Sequence, residues 1–388
     1  MKKHNYPLHI VLFLVTVFTT LMAGAELRTA NAFFWGDLTF ASLGEGWLFS
    51  LAFLSFLTVH EFGHFFAARF HNVRTSLPYY IPIFIPIGIL NIGSFGAVIR
   101  IREMPPSRRK YFDIGVAGPL AGFAISILLL VIGFLTLPES PWTGYLGELH
   151  PEMMGLDHIW TLDEAVEASR GFPVISAGSN VIYDGLASLL AEPTLLPPGH
   201  EVMHYPLLFV GYLTLFFTAL NLLPIGQLDG GHVIYGLFGK QIHSWVSRLA
   251  VLALIFFGGT GLMELPEYKV EEWGGLWAYV LNYGLTFLIY FGLLLLVWRR
   301  FNPKWSFGLR MSLAVAVMAI QFGLKYLFPE IQVNLIWLIY SLLAVTMIGL
   351  DHPGAADNTP LDRKRVILGW LAILIFLTCF SINPFQVY

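Results

Sequence analysis

Apolar residues run along this chain in long stretches, with the polar residues gathered between them. Windows close to the roughly 18 to 20 apolar residues that a bilayer-crossing helix needs recur at 8–25, 47–70, 112–136, 206–223, 244–263, 276–298, 307–327, 332–350 and 365–380. They predict an all-α polytopic membrane protein, a bundle of about nine transmembrane helices. The pattern changes between 78 and 103. "PYYIPIFIPIGIL" holds Pro78, Pro82 and Pro86, too many for a regular spanning helix. "GAVIRIRE" alternates apolar and polar residues as a strand does. This segment reads as a short re-entrant or interfacial loop with an edge strand, a β-hairpin, or else as a plain amphipathic connector.

Composition agrees with that pattern, since 56% of the 388 residues are hydrophobic and 12% are charged, far from the balance of a soluble domain. A net charge of -3 with no basic, aromatic-interleaved stretch argues against nucleic acid as a partner. The single cysteine, Cys379, excludes an internal disulfide and a cysteine-based metal site.

Charge distribution sets the orientation. Arg100, Arg102, Arg108, Arg109 and Lys110 place their loop inside by the positive-inside rule. The acidic loop 138–204 and the turn Glu264 to Glu272 fall outside, and Arg299 to Lys304 and Arg363 to Arg365 fall inside. The N-terminus is then cytoplasmic. Lys2 and Lys3 ahead of a short apolar run would also suit a signal peptide, but a retained first helix is preferred. The expected organisation is a first transmembrane helix with its outer loop over 1–43, a core over 44–240, and additional C-terminal helices over 241–388. The outer loop looks like a partly ordered cap, with no separate soluble domain.

Against this background "VHEFGHFFAAR" at 59–69 is anomalous, because it puts two histidines and a glutamate inside an apolar run. His60 lies 13 residues beyond Trp47, roughly 20 Å along a helix and short of its inner end. His60 and His64 are four apart, so both imidazoles project from one helix face and can reach one ion. This is the HExxH pattern, in which the glutamate, Glu61, is the general base rather than a ligand. A catalytic zinc usually takes a third protein ligand. Asp229 is the candidate, in "NLLPIGQLDGGH" at 221–232, where Pro224 and Gly226 break the preceding apolar span. Such breaks survive at membrane depth where they line a cavity or are packed in protein. Asp-Gly-Gly is also ordinary turn chemistry, and His232 is a rival ligand.

"HEFGH" on one predicted span together with "NLLPIGQLDGG" at the break of a later one resembles the two signature motifs of the site-2 protease family, intramembrane zinc metallopeptidases. The likeness covers roughly 44–240 and is closest to the branch without a PDZ domain, found in bacteria, archaea and plant plastids. "GSFGAVIRIRE", "DIGVAGPLAGF" and "DHPGAADNTPLDRKR" support it. The resemblance implies one zinc per chain held by His60, His64 and Asp229, with Glu61 as general base. Asn221 would support the substrate backbone or the oxyanion, or make a helix–helix hydrogen bond. It also implies transmembrane protein substrates within the lipid bilayer, and a bacterial inner membrane is the expected setting. Gly118 and Gly122 are expected to serve close helix packing, and the 78–103 hairpin to lie near the active site.

Other readings compete. A metal transporter or sensor would use the same groups as a transit site, and a non-hydrolytic scaffold would only bind membrane proteins. His200 and His204 share the four-residue spacing, but they fall in a polar outer loop, are read as having no nearby acid placed as Glu61 is, and are taken to be solvated. His352, between Asp351 and Pro353, could suggest a second site, but a cytoplasmic turn is the preferred reading. The helices after 244 could gate the site, form a dimer surface or face lipid.

Overall fold

The computed structural model describes residues 5–29, 40–83, 91–138, 161–168, 174–262, 276–328 and 334–388. The elements are α1 (Tyr6–Thr29), α2 (Phe40–Gly44), α3 (Trp47–Phe70), β1 (Tyr79–Pro82), β2 (Ser94–Val98), α4 (Arg108–Leu135), α5 (Leu162–Ala168), β3 (Ile175–Ala177), α6 (Val181–Leu190), α7 (Pro206–Leu222), α8 (Asp229–Leu262), α9 (Leu276–Phe301), α10 (Phe307–Leu327), α11 (Ile336–Leu343), α12 (Arg363–Cys379) and β4 (Phe385–Val387). Among the described residues, six helices are long and apolar enough to cross a membrane: Tyr6–Arg28, Trp47–Phe70, Arg108–Leu135, Lys240–Leu262, Gly284–Phe301 and Phe307–Leu327. The other three predicted spans correspond to shorter helices, α7, α12, and α11 with the π-helical turn Ala344–Ile348 that extends it. The acidic stretches 139–160 and 264–272 lie outside the described residues.

The chain forms two compact units, one of Met1–Leu222 with Ala355–Tyr388 and one of Leu223–Gly354. In the first, α3 packs on α4 and α7, and α1 packs on α3. Glycines set how closely α3 and α4 approach. A Cβ on Gly63 would lie 2.7 Å from the Ala117 carbonyl oxygen, so the backbones meet without side chains between them, the usual device where helices associate in lipid. The C-terminal end of α3 and the N-terminal ends of α4 and α12 converge on Asp113. His71 Nε2 is 2.7 Å from Asp113 Oδ2, and Arg365 grips the same carboxylate through Nε at 2.8 Å and Nη2 at 2.7 Å. Ser107 caps α4 and Asp362 caps α12 through backbone N–H groups, as short polar side chains do at helix starts. On the opposite side, β4 pairs antiparallel with β3, and Tyr212 donates to the Pro384 carbonyl at 2.5 Å.

The predicted hairpin is present. β1 and β2 pair antiparallel, Tyr79 opposite Val98 and Tyr80 opposite Ala97, with an irregularity before Pro82. Thr75 and Ile101 continue the pairing as an isolated bridge. α1 holds both ends. His9 Nδ1 donates to the Pro78 carbonyl at 2.9 Å, and Thr19 donates to the Gly93 carbonyl at 2.6 Å. His9 and Thr19 are ten residues apart, about 15 Å along the helix, so the segment runs beside the spanning helix, as a re-entrant loop would. Its tip, 84–90, lies outside the described residues.

In the second unit, α8 is two helical pieces joined at Gly239, whose φ of 82° and ψ of 178° break the helix. Gln321 of α10 donates to the Phe256 carbonyl at 2.8 Å, and Tyr290 of α9 lies 3.1 Å from the Gln321 carbonyl oxygen, tying three helices through a buried polar knot. A second knot surrounds His352, which stacks on Tyr235 with ring centroids 3.9 Å apart and meets His232 Nδ1 at 2.8 Å. Burial first, then the neighbouring His232, lowers the His352 imidazole from 6.5 to about 3. The fold therefore keeps it neutral. A proton affinity lowered by folding contributes stability that is full above the unfolded value and is lost as pH falls through 6.5 toward 3. The thermal midpoint of the protein is expected to drop on acidification from about pH 7 to about pH 4. His352→Gln should flatten that dependence in a fluorescence melt; an equally steep fall in this variant would contradict the assignment.

Candidate active site

The C-terminal half of α3 carries the HExxH residues, and the helix is unbroken through Phe70. An unbroken α-helix brings His60 and His64 onto one face, and their Nε2 atoms lie 3.1 Å apart. His64 Nδ1 is 2.7 Å from the Ile114 carbonyl of α4. A carbonyl only accepts, so Nδ1 carries the hydrogen and Nε2 presents a lone pair, the orientation given to histidine ligands by a backbone partner. All three side chains are buried, with His60 4%, Glu61 7% and His64 6% exposed.

The "AGPLAG" glycines of α4 make room for these rings. A Cβ on Gly118 would stand 2.1 Å from His64 Nε2, and one on Gly122 would stand 3.1 Å from His60 Nδ1. Close packing is the expected use of both, and it occurs at the two histidines themselves.

Asn221, at the end of α7, brings its Nδ2 to 3.4 Å from His60 Nε2. Polar support from α7 therefore sits beside the histidine pair. The hairpin is anchored to the same helix as that pair. The Tyr80 hydroxyl of β1 and the Thr58 hydroxyl of α3 lie 2.8 Å apart, within one turn of Glu61.

Asp229 belongs to the second unit, where it is the first residue of α8 and half-buried. The preceding turn is Gly226, φ +51°, followed by Gln227 and Leu228, whose N–H donates to the Ile225 carbonyl. A carboxylate in the first turn of a helix is favoured by the free N–H groups there.

One expectation is overturned. His200 and His204 are not solvated: His200 is 9% and His204 3% exposed, and Glu201 between them is 3% exposed. The expected lack of an acid placed like Glu61 fails as well: "HEVMH" at 200–204 repeats the HExxH pattern, Glu201 following His200 as Glu61 follows His60. The polar composition of the loop conceals that β3, α1 and α7 cover this turn. The local backbone separates the two copies of the pattern. Val202–His204 is a 3-10 turn that leaves His200 outside it, so the continuous α-helix that puts i and i+4 side chains on one face is not formed here. Glu201 instead lies 3.8 Å from His200 Nε2 and 3.5 Å from His204 Nε2, while His204 Nδ1 donates to the Arg28 carbonyl at 3.0 Å. The cluster joins the 200–204 turn to the end of α1.

The donor set at His60 and His64 fits zinc. Two imidazole nitrogens 3.1 Å apart match the edge of a tetrahedron at the usual zinc–nitrogen distance, about 3.3 Å.

The family model for peptidase family M50 matches residues 48–262. The chain is 30% identical over 237 residues to "Probable zinc metalloprotease EGY2, chloroplastic" of Oryza sativa subsp. indica, covering 61% of this chain and 37% of that protein. It is 31% identical over 208 residues to "Probable zinc metalloprotease EGY1, chloroplastic" of Arabidopsis thaliana, covering 53% and 32%. It thus spans about a third of the length of these curated relatives. No solved structure matches it. The matched stretch takes in the α3 histidines, the α4 glycines and the α7–α8 turn, and by that match the chain belongs to peptidase family M50.

Proposed function

We propose that this protein is an intramembrane zinc metalloendopeptidase of the site-2 protease type, hydrolysing peptide bonds in or near the transmembrane segments of membrane-protein substrates. The observation that carries the reading is the buried histidine pair on α3, with Glu61 beside it and Asn221 of α7 next to His60. In this reading His60 and His64 hold one zinc per chain, and Asp229 is the third ligand. Zinc, when bound, supplies a Lewis acid that polarises the scissile carbonyl and lowers the proton affinity of water.

The protein's own groups do the rest. Glu61 takes a proton from the attacking water and returns it to the leaving amine, the work of a positioned acid–base group. Asn221 offers an amide N–H₂ to the substrate carbonyl as charge develops on its oxygen. A substrate helix must first unwind, because its carbonyls are engaged in i to i-4 bonds. The β1–β2 hairpin suits that step by strand addition: among the described residues its sheet has two strands, and β2 exposes Phe95 and Val98.

The proposed setting is a bacterial inner membrane, and the basic loops favour an N-terminus on the inner side; the chloroplast in the relatives' names is said of those proteins. The proposed core is 44–240.

Metal removal tests the activity. Purified protein in liposomes with a single-span substrate is expected to cleave within the membrane segment, to stop after chelation, and to recover on adding zinc. Zinc flux through the liposomes without cleavage would instead favour a transporter.

A further inference from the structure

The turn that leads into Asp229 contains Gly226, and Gly230 and Gly231 follow it; glycine-rich backbone has little order of its own. In the second unit this turn is nonetheless gripped from several sides. Gly226 N–H donates to Ser247 Oγ at 3.1 Å, and His243 Nε2 donates to the Gly226 carbonyl at 3.0 Å. His243 and Ser247 are fully buried and one turn apart on the second piece of α8. A Cβ on Gly226 would stand 2.0 Å from the Gly349 carbonyl oxygen, so the chain beyond α11 closes the third side. A Cβ on Gly231 would stand 2.4 Å from the Gly226 carbonyl oxygen, so the first turn of α8 rests directly on this strip.

The segment after Gly349 reaches the same helix start through a side-chain relay. His352 Nδ1 is 2.5 Å from the Pro353 carbonyl, which only accepts, so His352 Nε2 accepts in turn from His232 Nδ1 at 2.8 Å. His232 lies one turn beyond Asp229. Asp351 is fixed by Arg248 through two bonds of 2.9 and 3.1 Å and by Ser244 at 2.8 Å. Residues 243 and 247 on one ridge of α8 therefore hold the turn, while 244 and 248 on the next ridge hold the 351–353 segment. The Gly239 break lets one helix touch its own beginning in this way.

We propose that His243, Ser247 and His352 are positioning residues that fix the 226–228 turn, and with it the Asp229 carboxylate, for the reaction. The inference rests on the reading of Asp229 as a zinc ligand. The second piece of α8 and the segment after α11 thereby gain a role, since they carry the clamp behind the third ligand, and groups behind a metal ligand set its orientation.

The test uses the full-length purified protein and the variants Ser247→Ala, His243→Leu, His243→Gln and His352→Leu, with Asp229→Ala as reference. Three quantities are measured: hydrogen exchange over 225–232 before zinc is added, zinc affinity by chelator competition, and kcat with KM for a single-span substrate. Ser247→Ala removes one oxygen, so it reports even where a larger change disturbs folding. The expected result is faster exchange confined to 225–232, zinc affinity lower by about 10- to 100-fold, and a fall in kcat at unchanged KM. His243→Gln, which keeps a donor for the Gly226 carbonyl, should recover much of each loss. Wild-type exchange, or wild-type zinc affinity and kcat in folded variants while Asp229→Ala loses zinc, would overturn the proposal. Wild-type zinc affinity in Asp229→Ala would overturn the ligand reading instead, and exchange and kcat would then judge the clamp on their own.

Discussion

Glu61→Gln protein is expected to bind one zinc per chain with wild-type affinity and to lose substrate cleavage by about 10²- to 10⁴-fold, the span that a positioned acid–base group contributes. The two halves of this result have different origins. Zinc is retained because Glu61 is not a ligand in the proposed site, and glutamine fills the same buried volume without disturbing the packing of α3. Cleavage is lost because an amide cannot accept the proton of the attacking water or carry it to the leaving nitrogen. Parallel zinc analysis and single-turnover cleavage check both halves. Loss of zinc in this variant would make Glu61 a ligand, and undiminished cleavage would remove it from the chemistry.

The second large effect is expected at Asp229. Asp229→Ala should weaken zinc binding by at least about 100-fold, above the roughly 10- to 100-fold range for a change behind a ligand. It should also abolish cleavage while leaving the protein folded. The substitution removes a half-buried carboxylate from the first turn of α8, where alanine is well tolerated apart from a small loss of helix-dipole stabilisation. A melting temperature of the metal-free variant close to that of the metal-free wild type, together with lost zinc binding, would separate ligation from turn chemistry, the two readings that Asp-Gly-Gly leaves open. A variant that melts lower but keeps zinc would identify Asp229 as a turn residue only.

Much of the first unit is legible in the sequence because each signal is local. The α3 pair follows from a four-residue spacing on an unbroken helix. The β1–β2 hairpin follows from three closely spaced prolines, too many for a regular spanning helix, and from the alternation after them. The packing role of Gly118 and Gly122 is legible too, but its closeness to His64 and His60 depends on the register of α4 against α3, which no single segment encodes.

The turn at His200 shows where composition misleads. Polar residues in a loop suggest solvation, yet Glu201 and both histidines are buried, and His204 bonds the end of α1, 176 residues away. The sequence around His352 suggests a turn, and only the stacking on Tyr235 and the bond to His232, 120 residues away, show what that turn holds.

Zinc-edge X-ray absorption on the purified protein tests the central claim most directly. The account predicts one zinc per chain with two imidazole nitrogens and a carboxylate oxygen at about 2.0 to 2.2 Å, and loss of the imidazole signal in His60→Ala and His64→Ala. A purified, active protein whose metal shows no imidazole ligands, or one that cleaves its substrate with no metal bound, would contradict it.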